Sequence, residues 1–202
     1  GICYGAPGVG KTLSAKYYAK EDAFNKFFNV DISDGEAVKI GKNIVSSRTI
    51  FYTATVMNTP KKIEIELDKY RCSLFSTIFD IEKKLERNPP IGREDYSTLV
   101  IIDEADRLKM NTLEQLRDIY DTYGFGLILI GMPGIEKRLM RYAQLYSRIG
   151  FAHEFRPLAK KELLLVKWLK LDWRKLLSIL SMTKVLRTYS KPKVKFYFSM
   201  DS

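Results

Sequence analysis

Residues 5–12 read Gly-Ala-Pro-Gly-Val-Gly-Lys-Thr, a full match to G-x-x-x-x-G-K-[ST]. This stretch restricts the fold more than any other. Its glycines let successive backbone N–H groups converge on one point, and the pattern works only between a strand and a helix. Both flanks are present. Ile2-Cys3-Tyr4 is an apolar strand stub, and Thr12-Leu13-Ser14-Ala15-Lys16-Tyr17-Tyr18 opens a helix expected to reach about residue 26. Such a loop cradles phosphate oxygens, with Lys11 placed for the β- and γ-phosphates and the Thr12 hydroxyl for Mg²⁺. The candidate nucleotide contacts are Gly5, Ala6, Pro7, Gly8, Val9, Gly10, Lys11, Thr12 and Leu13.

Strand and helix patterns alternate after this loop. Residues 29–48 are polar and glycine-containing, which suggests an irregular loop. Thr49-Ile50-Phe51-Tyr52-Thr53-Ala54 is β-branched and aromatic, hence a strand. Asn58-Thr59-Pro60 starts a helix over residues 61–85, and Asn88-Pro89-Pro90 stops it. Leu99-Val100-Ile101-Ile102 is wholly apolar, as a strand buried on both faces of a parallel sheet would be. Asn111 is placed to cap a helix over residues 112–123, with Glu114 at its third position. Residues 127–130, 135–146 and 151–155 follow as strand, helix and strand. The expected architecture is an α/β parallel sheet with helices on both faces.

Asp103 and Glu104 end the apolar strand, followed by Asp106. In a parallel sheet the ligand crevice lies outside the carboxyl ends of the strands, where the phosphate loop also lies. Asp103 is therefore the expected partner of Thr12 for Mg²⁺, and Glu104 the carboxylate that polarises an attacking water. Asp106 reads as a helix cap or ion-pair partner.

Charge is unevenly distributed. Lys and Arg number 34 against 24 Asp and Glu, a net charge of +10. Residues 159–202 hold 11 basic and 3 acidic residues and so carry +8 of it. Such a stretch favours polyanions, nucleic acid first, although a solvated helix face would look the same. No apolar run reaches the roughly 20 residues of a bilayer span, so no membrane role is expected. Two cysteines far apart and one histidine exclude a disulfide scaffold and a structural zinc site. With Gly1-Ile2-Cys3 at the start and no signal or transit pattern, a cytoplasmic setting is expected. His153 lies in a strand pattern with no nucleophile spaced to work with it, and Trp168 and Trp173 read as packing residues.

A phosphate loop, an apolar strand ending in Asp-Glu, a further strand and an Arg ahead of a last strand occur in that order, and over residues 1–158 the chain resembles AAA+ ATPases. The segments Arg48-Thr49-Ile50-Phe51-Tyr52-Thr53-Ala54-Thr55, Asp103-Glu104-Ala105-Asp106-Arg107-Leu108-Lys109-Met110, Ile130-Gly131-Met132-Pro133-Gly134 and Tyr146-Ser147-Arg148-Ile149-Gly150 are most similar to bacterial ATPases that accompany transposases and regulate target choice. Replication initiators and helicase loaders are near relatives. The resemblance implies a P-loop NTPase sheet of order 5-1-4-3-2, ATP hydrolysis with Mg²⁺, homo-oligomers with ATP at the subunit boundary, and assembly on DNA with a transposase or other protein partner. It also places Arg148 as an arginine finger reaching a neighbouring subunit's nucleotide, with Arg138 and Arg141 as competing candidates.

Departures from the family pattern bear on turnover. Gly131-Met132-Pro133 stands where the family usually has a polar residue sensing the γ-phosphate. The segment that covers adenine in the family would precede Gly1, which implies a truncated N-terminus. Residues 159–202 supply a partial helical lid or an altered tail, with Arg174 a weak candidate for a second sensor. Two other readings remain open: a nucleotide-dependent switch in signalling or remodelling without DNA contact, and a degenerate fragment that binds nucleotide without turnover.

Overall fold

The computed structural model describes residues 1–29, 34–85, 97–157 and 159. In chain order it forms β1 (Ile2–Gly5), α1 (Lys11–Ala19), α2 (Glu21–Asn29), α3 (Asp34–Ser47), β2 (Thr49–Thr53), α4 (Pro60–Lys84), β3 (Leu99–Asp103), a 3-10 turn (Ala105–Arg107), α5 (Met110–Tyr123), β4 (Gly126–Gly131), α6 (Ile135–Met140), α7 (Ala143–Tyr146) and β5 (Ala152–Phe155). The strands pair in parallel in the order β2-β3-β4-β1-β5, the 5-1-4-3-2 arrangement expected. Because every pairing is parallel, all five carboxyl ends share one edge of the sheet.

Alternation along each strand divides the core into two layers. Ile2, Ile50, Tyr52, Val100, Ile102 and Leu129 share one cluster with residues of α3 to α7. Cys3, Phe51, Leu99, Ile101, Ile128, Ile130 and Phe155 share the other with Ala15 and Ala19 of α1. The central strands are therefore buried on both faces, which is why their sequences are apolar without interruption. Helix α4 is fixed at its start by Thr59, whose hydroxyl accepts from the Lys62 N–H, and by Pro60 in the first turn.

Four local expectations are corrected. Residues 29–48 are not an irregular loop, since α3 occupies 34–47 and buries Ala37, Ile40 and Ile44 at helical spacing. Gly41 within it lies where a Cβ would stand 2.2 Å from Cδ1 of Ile81, so the glycine lets α3 approach α4 closely. The helix expected to run from Thr12 to about residue 26 breaks at Lys20, which adopts φ 57° and ψ 38°. No glycine or proline marks that break. The Lys16–Glu21 ion pair at 3.0 Å and the Lys20 ammonium 4.5 Å from the Tyr17 ring centre close it. Asn111 does not cap α5, which begins at Met110 after Lys109, and Glu114 pairs with Arg117 instead. Residues 135–146 form two short helices because the chain turns at Arg141-Tyr142 to bury both Leu139 and Leu145. Residues 160–202, including the expected lid, Arg174, Trp168 and Trp173, lie outside the described residues.

Helix α4 supplies much of the larger core layer, so Ile78→Ala should lower unfolding free energy by about 2–5 kcal/mol. The exposed Ile65→Ala on the same helix should change it by less than about 0.5 kcal/mol. Urea denaturation measures both, and equal effects would contradict the described packing.

Candidate functional site

The loop that follows β1 ends at Gly10, whose φ of 93° is in the left-handed region that favours glycine. From there α1 starts at once, directing its first free N–H groups toward the loop. The Lys11 ammonium is largely buried and folds back over the turn, donating to the carbonyls of Gly5 (2.6 Å) and Ala6 (2.9 Å). Ala6, Pro7, Gly8 and Thr12 are exposed around it. A cation held by two carbonyl contacts at the start of a helix is chemically suited to polyphosphate.

Strand β3 carries the acidic pair to the same edge. Asp103 is buried, and its Oδ1 accepts the N–H of Glu104 at 2.9 Å. Glu104 itself is left-handed, with φ 56° and ψ 37°, a conformation that costs a non-glycine residue about 1–3 kcal/mol. Its Oε2 lies 3.4 Å from Nη2 of Arg107, and Nη1 of Arg107 donates to the Ala54 carbonyl at 3.0 Å, just past β2. Asn58 closes this corner by donating to the carbonyls of Thr55 (2.7 Å) and Arg107 (3.0 Å).

Strand register relates the two parts. Tyr4 pairs with Gly131, and Ile102 with Leu129, so β4 alone separates the phosphate loop from Asp103. Adjacent strands lie about 4.8 Å apart and Gly5 stands two residues further along than Asp103, so the two are about 12 Å apart. That span suits a phosphate chain with a cation between. No group of three or more His, Cys, Asp and Glu able to hold a metal occurs among the described residues. Mg²⁺ does not need one: it keeps waters and takes one or two protein oxygens plus phosphates, which the Thr12 hydroxyl and Asp103 carboxylate fit.

The arginines ahead of β5 have different surroundings. Arg148 is exposed and forms a two-pronged pair with Asp121 of α5, Nε to Oδ1 and Nη2 to Oδ2 both at 2.8 Å. Arg117 shares that carboxylate at 3.0 Å. Arg138 points inward instead and donates to the main-chain carbonyls of Asp106 and Leu108. Arg141 is exposed. His153 packs edge-on against Phe155, 5.2 Å between ring centres, and burial lowers its pKa. Sequence reasoning missed Arg107 and Asp121. Arg107 lies inside the Asp103–Met110 segment, but its bond to Ala54 joins two strands' ends, and Asp121 meets Arg148 only through the packing of α5.

A phosphate loop on a central strand, an acidic pair one strand beyond its neighbour and a 5-1-4-3-2 parallel sheet define an α/β P-loop nucleotide-binding protein. Residues 1–139 match the family described as AAA domain, and the chain belongs to it. It is 42% identical over 206 residues to a "Potential ATP-binding protein" of Staphylococcus aureus, covering 91% of this chain and 74% of that one. It is 28% identical to the "Mu-like prophage FluMu DNA transposition protein B" of Haemophilus influenzae, over 73% of this chain and 45% of that one. Against the "ATP-dependent target DNA activator B" of Escherichia phage Mu the identity is 27%, over 74% and 41%. The chain is thus an AAA+ P-loop protein near the transposition regulators, and it spans less than half the length of the two transposition proteins. No helix among the described residues is long and apolar enough to cross a membrane.

The hydrogen bond from Arg148, more than the other nearby charges, holds the Asp121 carboxyl below the usual carboxylate range. A depressed folded-state pKa means that this pair stabilises the fold above the ordinary Asp range and that the contribution disappears as pH falls through the depressed value. Arg148→Ala should therefore raise the Asp121 titration midpoint, read by carboxyl NMR. An unchanged midpoint would contradict the pairing.

Proposed function

We propose that this chain is an ATP-hydrolysing AAA+ regulator that assembles on DNA, with its site formed by Lys11, Thr12, Asp103 and Glu104. The observation that carries this reading is the placement of the phosphate loop and a strained Glu104 at one sheet edge, with only β4 between their strands. In this reading Lys11 leaves the Gly5 and Ala6 carbonyls for the β- and γ-phosphates, where it meets a stronger acceptor. Residues 8–12 supply backbone N–H groups, and Leu13 continues the first helical turn beneath them. Thr12 and Asp103 would hold Mg²⁺, whose charge offsets that of the phosphate oxygens. Glu104 accepts a hydrogen bond from the attacking water and increases its nucleophilicity.

Arg148 is the candidate for completing a neighbour's site in a homo-oligomer, by stabilising charge on the transferring phosphate. Its pair with Asp121 also supports a second role, that of a clamp between α5 and the turn after α7. Both partners of this pair reach solvent, so a phosphate, itself an acceptor for a guanidinium fork, can compete with Asp121 for Arg148. The DNA assignment rests on the printed names of the two transposition relatives and on the basic residues 159–202. A transposase is the protein partner those names suggest.

Lys11→Ala should abolish ATP binding in calorimetry, and Glu104→Gln should keep binding while losing hydrolysis. Parent-like affinity in the first variant, or parent-like turnover in the second, would overturn the site. Arg148→Ala alone should lose turnover at unchanged ATP affinity. Mixing it with Glu104→Gln should restore part of the activity, because some interfaces then pair an intact Glu104 with an intact Arg148. If mixing restores nothing, Arg148 is the clamp. DNA affinity with ATP present should fall with salt by a slope of about −0.9 per phosphate neutralised, and deleting residues 159–202 should flatten it. Anisotropy over a salt series reads this, and no binding at low salt would remove DNA from the account.

A further inference from the structure

The 3-10 turn after β3 carries two carboxylates, and they are drawn in opposite directions. Arg107, anchored on Ala54 beyond β2, holds Glu104 on the side of β3 away from the phosphate loop. Asp106 reaches the other way, across the tip of β4: its Oδ2 accepts the Met132 N–H at 2.6 Å. Met132 follows Gly131, which pairs with Tyr4, the residue before the phosphate loop's first glycine. Gly131 has no room for a side chain, because a Cβ there would lie 2.5 Å from that same Oδ2 and 2.6 Å from Cδ1 of Ile135. The neighbouring main chain is fixed as well, since Arg138 donates to the carbonyls of Asp106 and Leu108. The Asp106 carboxylate thus fills the space over the end of β4 that a residue-131 side chain would take.

From this geometry we infer that Asp106 is a positioning residue of the nucleotide site: its hydrogen bond to Met132 locks the turn bearing Asp103 and Glu104 onto β4, and so sets their distance from the phosphate loop on β1. The requirement is for an acceptor oxygen at this place, not for its charge. The same contact explains glycine at 131, since any side chain there would push the carboxylate off Met132. The inference rests on the proposed ATP site, and it concerns how the site's two halves are held in register.

The test compares Asp106→Ala, Asp106→Asn, Gly131→Ala and the Asp106→Ala/Gly131→Ala pair, using ATP binding with Mg²⁺ and with chelator, and steady-state turnover. Asp106→Ala should keep the Mg²⁺-free affinity, which comes from the phosphate loop. It should lose most of the affinity gained on adding Mg²⁺ and lower kcat by about 10- to 100-fold, the usual cost of a roughly 1 Å misplacement. Asp106→Asn should behave like the parent, because its amide oxygen still accepts from Met132. Gly131→Ala should lose at least as much Mg²⁺-dependent affinity as Asp106→Ala, because its Cβ also crowds Ile135, and the double variant should be no worse than Gly131→Ala, since both changes break the Asp106–Met132 contact. Equal damage from Asn and Ala would overturn the inference in favour of a charge-based role. Parent-like Asp106→Ala, additive losses in the pair, or a matching fall in Mg²⁺-free affinity would overturn it as well. A parent without turnover, or a fully active Glu104→Gln, would count against the proposed hydrolysis alone, because the Mg²⁺ readout still decides the role of Asp106.

Discussion

The parallel ladder β3-β4-β1 is the constraint on which the other features depend. Its hydrogen bonds must form, because these strands are buried on both faces and an unpaired backbone group there has no water to turn to. Once formed, they leave no freedom in where the strands end. Gly5, Gly131 and Asp103 arrive at one edge, in adjacent order, before any side chain of the site is placed. The loop after β1 and the turn after β3 then need only short-range contacts to complete the site.

Those contacts are unequal in strength and position. The turn after β3 is tied to β2 through Arg107 and Asn58, to β4 through Asp106, and to α6 through Arg138. Most of these bonds go to main-chain atoms, which hold their places because the sheet does. The Glu104–Arg107 pair is different, being exposed and 3.4 Å long. Such pairs are worth about 1 kcal/mol at most. Asp103 is thus firmly placed by burial, whereas the Glu104 side chain can reorient at little cost. That difference suits a site in which one carboxylate holds a cation and the other meets a water.

Much of this was legible in the sequence because it is local. The phosphate loop and its flanks are contiguous, the acidic pair terminates an apolar run, and the buried strands need no partner to be recognised. Helix α3 was hidden by polar residues and by Gly35 and Gly41, although Ala37, Ile40 and Ile44 have helical spacing. The break at Lys20 carries no glycine or proline, since packing and ion pairs set it. The spacing of Glu114 from Asn111 suits a capping pair, yet α5 starts at Met110, two residues before the expected start. Asp121 and Arg148 lie 27 residues apart, and Asp106 and Met132 lie 26 apart. Pairings of that range are fixed by strand order, which only the resemblance to AAA+ proteins supplied.

The central claim is that the loop after β1 and the turn after β3 form one nucleotide site. A crystal structure of the chain with Mg²⁺ and a slowly hydrolysed ATP analogue tests it most directly. The β- and γ-phosphates should lie over the backbone N–H groups of residues 8–12, with Lys11 Nζ moved from the Gly5 and Ala6 carbonyls onto them and Mg²⁺ between Thr12 and Asp103. Phosphates bound elsewhere, or Lys11 still on its two carbonyls with the analogue in place, would contradict it.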